Sequence, residues 1–327
     1  MVLAVSADDE DSSKMSSPSI LVTGGAGYIG SILVPELLVR GHRVTVLDNF
    51  FFQQASLGHV CANPNFELVR GDIRDLDLVT ALLARHDLVI PLAALVGAPI
   101  CSRDPYTAEA VNLNAPLALL RTMSSEQRIL MPITNSGYGV GEHGKMCTEK
   151  TPMRPVSLYG RHKVELENAV LDRGNAISFR LATVFGMSPR MRLDLLVNDF
   201  VYRAVTDRAV VLFESHFKRN YIHVRDVTRA FLHGLDHFDE LKNEPYNVGL
   251  SDANLSKWEL CERIQKQLPH FVFVEAPIGK DPDQRDYFVS NEKIERTGFR
   301  TQHSLEAGIA ELIKGCRMLR NAVYGNV

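Results

Sequence analysis

In SLYGRHK, residues 157–163, a tyrosine and a lysine stand four positions apart. On a helix that spacing puts Tyr159 and Lys163 on one face, about a turn apart. A phenol normally gives up its proton near pH 10. The pair is therefore either a proton-transfer device or two residues of a surface helix. The choice turns on whether the chain supplies something for a tyrosinate to act on.

A second motif supplies it. TGGAGYIG directly follows the apolar run SILVT, with Gly24, Gly27 and Gly30 three apart and Tyr28 and Ile29 between the last two. Glycines at that spacing allow a tight turn, let backbone N–H groups approach a pyrophosphate and let the following helix pack closely with its N-terminus facing the anion. Asp48, followed by Asn49, ends the next apolar run eighteen residues after Gly30. A carboxylate there accepts hydrogen bonds from both ribose hydroxyls and repels a 2′-phosphate, which favours NAD over NADP. Asp72 and Ile73, in GDIRD after the third run, are placed to reach the adenine edge. Taken alone, that aspartate also reads as a turn or cap residue. TNSGYGVG (134–141) then puts hydroxyl groups at the end of another run, where open α/β sheets bind ligands.

The elements that must hold these residues alternate. SILVT (19–23), VTVLD (44–48), FELVR (66–70), DLVIPLAA (87–94), RILMPIT (128–134) and AISFRLATVF (176–185) read as buried strands. Ile29, Leu33 and Leu37 recur every four residues before a stop at Gly41. Stretches 107–123 and 157–173 have helical length. The pattern predicts an α/β fold, a Rossmann-type doubly wound parallel sheet. It divides into a disordered tail at 1–17, an NAD-binding domain at 18–186 to which 220–240 returns, and a smaller α/β lobe at 187–327, to which the resemblance given below assigns nucleotide-sugar binding.

Composition narrows the partners. The 327 residues are 45% hydrophobic with a net charge of −3, which suits a soluble globular protein with a large core. No Lys/Arg run marks nucleic acid or an anionic membrane as a partner, and no apolar run is long enough to span a bilayer. Cysteines 61, 101, 147, 261 and 316 are scattered, which predicts reduced thiols of a cytoplasmic protein and no bound metal. Glu165 and Glu167 read as solvated helix residues. His162 and His223 are weaker candidates for acid/base groups.

TGGAGYIG, Asp48, GDIRD, Leu92-Ala93-Ala94, Thr134 ahead of Tyr138-Gly139, and Tyr159-xxx-Lys163 occur in an order and spacing that resemble the extended short-chain dehydrogenase/reductases, the nucleotide-sugar epimerase/dehydratase family. The likeness runs from about Ser19 through RNYIHVRDV (219–227), YNVG (246–249) and RDYFVSNEKIERTGF (285–299). The resemblance implies that Tyr159 takes a proton from a sugar hydroxyl while a hydride leaves that carbon for NAD. It implies that Lys163 holds the nicotinamide ribose and lowers the Tyr159 pKa, and that Thr134 hydrogen-bonds the reacting oxygen. It also implies a homodimer formed through the helices near 107–123 and 157–173.

The residues after Thr134 discriminate among reactions of that family. Its 4,6-dehydratases carry Asp-Glu there, its sugar-acid decarboxylases a glutamate at the Ser136 position and its 3,5-epimerase/reductases a cysteine. This chain carries Asn135-Ser136, and neither titrates near neutrality. The expectation is hydride and proton exchange at one carbon, a 4-epimerase similar to UDP-glucose 4-epimerase, with a 4-keto-sugar reductase as the alternative. A dehydratase or a non-catalytic NAD-binding protein is the more distant reading. For the nucleotide diphosphate, Arg219 and Arg285 resemble the arginines of the 4-epimerases. Asn198 and Thr183 occupy positions of sugar- or phosphate-contacting asparagines, and Ser136 lies beside the substrate. Arg190 and Arg192 add positive charge, which would suit a sugar carboxylate such as a uronic acid.

Overall fold

A computed structural model describes residues 17–319 apart from 54, 143 and 280–284, so the expected tail at 1–17 falls outside the described residues except for its last position. Seven parallel strands form one sheet: β1 (Ser19–Thr23), β2 (Arg43–Asp48), β3 (Phe66–Arg70), β4 (Leu88–Pro91), β5 (Arg128–Thr134), β6 (Ala176–Leu181) and β7 (Glu244–Val248), in the order β7-β6-β5-β4-β1-β2-β3. The order reverses at β1, where β4 lies on its other side, and ligands of open α/β sheets bind at such a switch point. Both faces are covered. Ile20 and Val22 enter a core with Leu33 and Leu37 on one face, and Leu21 enters one with Val79, Leu119 and Leu166 on the other. A strand buried on both faces has no polar alternation to keep, which is why SILVT reads as continuous apolar sequence.

Helix α1 (Gly30–Val39) follows the glycine turn and α2 (Leu158–Arg173) carries Tyr159 and Lys163. Ser157 caps α2, its Oγ accepting the Gly160 N–H at 3.1 Å, so Tyr159 stands at the second helical position. The smaller lobe holds α3 (Leu196–Thr206), a three-stranded sheet of Thr183–Phe185, Lys218–His223 and Asn254–Ser256, and a parallel pair of Ala209–Leu212 with Val272–Glu275. Helix α4 (Val224–Asp236) contributes Val227, Ala230 and Phe231 to the core of the large sheet.

Three expectations need correction. AISFRLATVF is two strands in different sheets: the Ala182 N–H still reaches Val248 O at 2.9 Å, but Thr183 already pairs with Tyr221. The stretch 107–123 is interrupted. Helix Pro105–Glu109 runs into a π-turn at Ala110–Asn114 before helix Ala115–Thr122. Pro116 has no N–H for the carbonyl four residues back, that of Asn112, and its ring crowds that carbonyl, which widens the turn. Glu167 is buried rather than solvated. Its carboxylate forms a bidentate pair with Arg180 of β6, Nε donating to Oε1 at 3.1 Å and Nη2 to Oε2 at 2.8 Å, and also accepts the Ser178 hydroxyl. Arg180 Nη1 donates in turn to Tyr138 OH at 3.0 Å and Glu149 O at 3.1 Å, and Tyr138 OH donates to Asn247 Oδ1 of β7 at 2.7 Å.

Glu167→Gln leaves the Arg180 guanidinium buried without its counter-charge, a loss of about 3–5 kcal/mol in typical cases. Chemical denaturation is expected to show a fall of that order. Glu165→Gln, on the exposed side of the same helix, is expected to change stability by under about 0.5 kcal/mol.

Candidate active site

A cavity of about 890 Å³ opens along the carboxyl ends of the large sheet and is walled on its far side by the smaller lobe. It is lined by Gly24, Gly27, Tyr28, Ile29, Gly30, Asp48, Asn49, Asp72, Ile73, Leu92, Ala93 and Ala94 at one end and by Thr134, Ser136, Tyr159, Lys163, Thr183, Arg219 and Arg285 at the other. The chain thus brings into one space every expected site residue except Asn198.

The dinucleotide end is shaped by close backbone approach. Gly24 has φ +69°, and a Cβ there would fall 2.5 Å from the Ala93 nitrogen; at Gly30 one would fall 2.4 Å from the Gly25 carbonyl oxygen. Only glycine lets the turn press against the chain after β4 and against α1. Asp48 Oδ2 accepts the Ala26 N–H at 3.0 Å and Oδ1 the Phe50 N–H at 2.8 Å, which leaves each oxygen further lone pairs for ribose hydroxyls. Burial raises the Asp48 pKa, against the pull of these N–H groups and of Arg190. The residues present therefore fit an adenosine dinucleotide. Asp72 is held at about 2, first by the Arg74 side chain, which donates to both carboxylate oxygens at 2.8 Å; Asn49 donates to it as well at 3.3 Å.

At the other end, burial lowers Lys163 to about 8, and its Nζ donates to the Pro132 carbonyl at 3.3 Å. Burial pushes the Tyr159 phenol up to about 12, with Arg192 and Arg285 pulling the other way. Thr134 Oγ1 accepts the Ser136 N–H at 3.1 Å and donates to Ser136 Oγ at 2.9 Å, and Arg285 Nη1 also donates to Ser136 Oγ. Arg285 reaches this loop because the chain after it pairs there: Val140 bridges Asp286, and Met146–Cys147 pairs with Phe288–Val289.

Asn198 lies behind the wall, fully buried. Its Oδ1 accepts the Gly186 N–H at 3.0 Å, and its Nδ2 donates to Tyr28 OH at 3.1 Å and Arg192 O at 2.9 Å. The amide ties the glycine turn to the smaller lobe and does not face the cavity. His162 and His223 are buried away from the cavity, His223 against Glu311 at 3.1 Å and stacked on His303. Arg190 and Arg192 occupy different ends. Arg190 lies 4.0 Å over the Phe52 ring on the Asp48 side, whereas Arg192 pairs with Asp194 at 2.5 Å and donates to Val96 O at 3.2 Å.

Sequence reasoning did not find Arg103, Lys257 or Tyr287 in the cavity wall, or Asn112 behind it. Asn112 holds the loop after β4, with Oδ1 accepting the Leu95 N–H and Nδ2 donating to Leu95 O, both at 2.8 Å. The Glu167 contact did leave a signal. Tyr159, Lys163 and Glu167 follow one another at intervals of four, so all three belong to the buried face of α2.

Comparison with known proteins agrees with this geometry. The family model described as "NAD dependent epimerase/dehydratase family" matches residues 20–249. UDP-glucuronic acid decarboxylase 1 of Arabidopsis thaliana is 28% identical over 312 residues, 91% of this chain and 69% of that protein. Among solved structures, UDP-glucose 4-epimerase of Thermus thermophilus in complex with NAD is 25% identical with a TM-score of 0.79, covering 91% of this chain and 99% of that one. DesIV, a dTDP-glucose 4,6-dehydratase from Streptomyces venezuelae with NAD and TYD bound, is 25% identical with a TM-score of 0.80, covering 92% and 97%. From its glycine turn to its Tyr159-xxx-Lys163 helix, the chain belongs to the NAD-dependent epimerase/dehydratase family of extended short-chain dehydrogenase/reductases.

Proposed function

We propose that the protein is an NAD-dependent epimerase of a nucleotide-diphosphate sugar, acting at C4 through a transient 4-keto sugar. The observation that carries this reading is the state of the carboxylates. Among the described residues that line the cavity, Asp48 is bonded to two backbone amides, Asp72 to Arg74, Asp104 to the Thr107 N–H, Asp194 to Arg192 and Asp199 to Arg203. None stands on the loop that carries Thr134, where Asn135 and Ser136 follow. β-Elimination in this family uses a carboxylic acid and a carboxylate beside the sugar, and the Thr134 loop offers neither.

Gly24, Gly27 and Asp48 would hold the adenosine and pyrophosphate, and Lys163 the nicotinamide ribose. NAD bound there supplies the hydride acceptor and donor. Tyr159 takes the proton of the C4 hydroxyl and later returns it. Its hydroxyl makes no hydrogen bond among the described residues, so it is available to the sugar. Arg192 and Arg285 favour the phenolate and oppose the larger effect of burial, and the positive nicotinamide of bound NAD would add to them. Arg219, buried with Nη1 on Lys218 O at 2.8 Å, and Arg285 supply donors for the diphosphate. The family resemblance is what supports a homodimer through α2 and the stretch around Pro105–Thr122, and no described helix is long and apolar enough to cross a membrane; the free cysteines suit a cytoplasmic enzyme.

One observation favours the reductase alternative. The Arg190 charge acts on Asp48, and a cation there would offset the repulsion of a 2′-phosphate, as a reductase using NADPH requires.

Protein purified without added cofactor is expected to release NAD on denaturation and to interconvert a C4-epimeric nucleotide-sugar pair. Stoichiometric consumption of external NADPH with a 4-keto sugar, without epimerisation, would replace this reading with the reductase. Tyr159→Phe is expected to lower turnover by about 10²–10⁴-fold, as loss of a general acid/base does, with NAD affinity nearly unchanged by fluorescence titration. Lys163→Met is expected to stabilise the cofactor-free protein. A lysine held at about 8 against 10.5 binds fewer protons folded than unfolded between those values, so wild-type stability rises with pH across that window. The Met variant's advantage, about 3 kcal/mol at most, is full below pH 8 and shrinks as pH climbs from 8 to 10.5 in thermal melts. Light scattering at micromolar concentration is expected to give the mass of a dimer.

A further inference from the structure

The segment from Gly186 to Arg192, which leads into the smaller lobe, is laid along the glycine turn. Tyr28 OH donates to Gly186 O at 2.6 Å, Ser188 Oγ donates to Tyr28 O at 2.7 Å, and the Arg190 N–H donates to Ser31 Oγ at 3.3 Å. That lacing carries the Arg190 side chain to the cofactor end of the cavity, where it is buried with Nη1 donating to Met191 O at 2.7 Å. Its guanidinium lies 4.0 Å from the centroid of the Phe52 ring, which comes from the larger lobe. The turn that presents Phe52 starts at Asp48, whose Oδ1 accepts the Phe50 N–H, and closes with the Gln53 N–H on Phe50 O at 2.9 Å. Phe50 and Gln53 both have left-handed backbones, with φ +55° and +56°. Such strain persists only where the surroundings hold it, and it clusters at ligand clamps. Asp48, Phe50, Phe52, Gln53 and Arg190 all line the cavity.

We propose that the stack of Arg190 on Phe52 is a clamp that keeps the dinucleotide from leaving between turnovers, with Arg190 as a cofactor-retaining residue supplied by the smaller lobe. The inference rests on the C4-epimerase reading of the site. An epimerase returns to C4 the hydride it removed, so its NAD is regenerated in place and has no need to exchange, whereas a reductase must release the oxidised cofactor after every turnover. Gly24, Gly27 and Asp48, which recognise the dinucleotide, all belong to the larger lobe. The stack joins that lobe to the smaller one beside Asp48, so release at this end requires the two side chains to part. A guanidinium on an aromatic face is held most strongly when both are out of water, and its planar group stacks in a way that a lysine ammonium does not.

Incubating the purified holoenzyme with an excess of isotopically labelled NAD, and following bound label by rapid gel filtration, gives the rate at which the cofactor exchanges. The unsubstituted protein is expected to exchange more slowly than it turns over. Arg190→Ala and Phe52→Leu are each expected to speed exchange about tenfold, the size of one desolvated cation–π contact. The double variant is expected to exchange no faster than either single one, because both remove the same contact. Arg190→Lys keeps a charge beside Asp48 without the planar stack and is expected to exchange faster than the unsubstituted protein. Melting curves in saturating NAD show whether each variant is folded. Unchanged exchange in both single variants, effects that add fully in the double variant, or unsubstituted behaviour in Arg190→Lys would overturn the clamp. So would tight NADP binding that Arg190→Ala abolishes without altering NAD exchange, which would make Arg190 a 2′-phosphate ligand. Exchange faster than turnover in an unsubstituted protein that still epimerises would overturn the clamp and leave the C4 reading in place. Slow exchange that Arg190→Ala speeds, in a protein that does not epimerise, would overturn the C4 reading and leave the clamp.

Discussion

The bidentate pair between Arg180 and Glu167 is the contact on which the position of the catalytic helix depends. Removing both charges from water costs several kcal/mol per ion, and only full pairing recovers it. Here the pairing is complete: Glu167 has two guanidinium nitrogens and the Ser178 hydroxyl, and Arg180 has the carboxylate, Tyr138 and the Glu149 carbonyl. One end of the network is α2, two turns beyond Tyr159. The others are β6, the loop that carries Thr134 and Ser136, and β7 through Asn247. A shift of the helix along the sheet would break several of these bonds together. That geometric penalty sets the phenol against the hydroxyl loop.

A second constraint joins the two lobes around the cavity. Tyr28, from the glycine turn, sits in the hydrophobic core of the smaller lobe, donates to Gly186 O at 2.6 Å and accepts from Asn198. Ser31 and Ser188 share a hydrogen bond at 2.8 Å, and Ser188 also donates to the Tyr28 carbonyl. At the far side, Arg285 is carried onto the hydroxyl loop by the bridge from Val140 to Asp286. The cofactor end and the sugar end are thus each closed by residues from both lobes. The smaller lobe supplies arginines, and the larger supplies the phenol, the lysine and the hydroxyls.

The electrostatics follow from this enclosure. Burial makes a charged lysine and a phenolate both expensive, so Lys163 falls and Tyr159 rises. Arg192 and Arg285, from the other lobe, pull the phenol the other way. The carboxylates in the wall are occupied by amides and guanidiniums.

Much of this was legible in the residues themselves. The glycine turn, the acidic end of β2 and the alternation of apolar runs with helical periods depend on local geometry, and local geometry repeats wherever the pattern does. SILVT, FELVR and RILMPIT are strands with the bounds read from the sequence. The break at Ala182, the π-turn before Pro116, the burial of Glu167 and the inward use of Asn198 were not read. The π-turn follows from Pro116, a local cause, and the others are each decided by a partner distant in the chain: Tyr221 for the break, Arg180 for Glu167 and Tyr28 for Asn198. Residue type and spacing determined that the chain has a dinucleotide turn and a tyrosine–lysine helix face. Only the tertiary structure decided what Glu167 and Asn198 touch and that Arg285 reaches the hydroxyl loop, because their partners lie far away in sequence and meet them only in the fold.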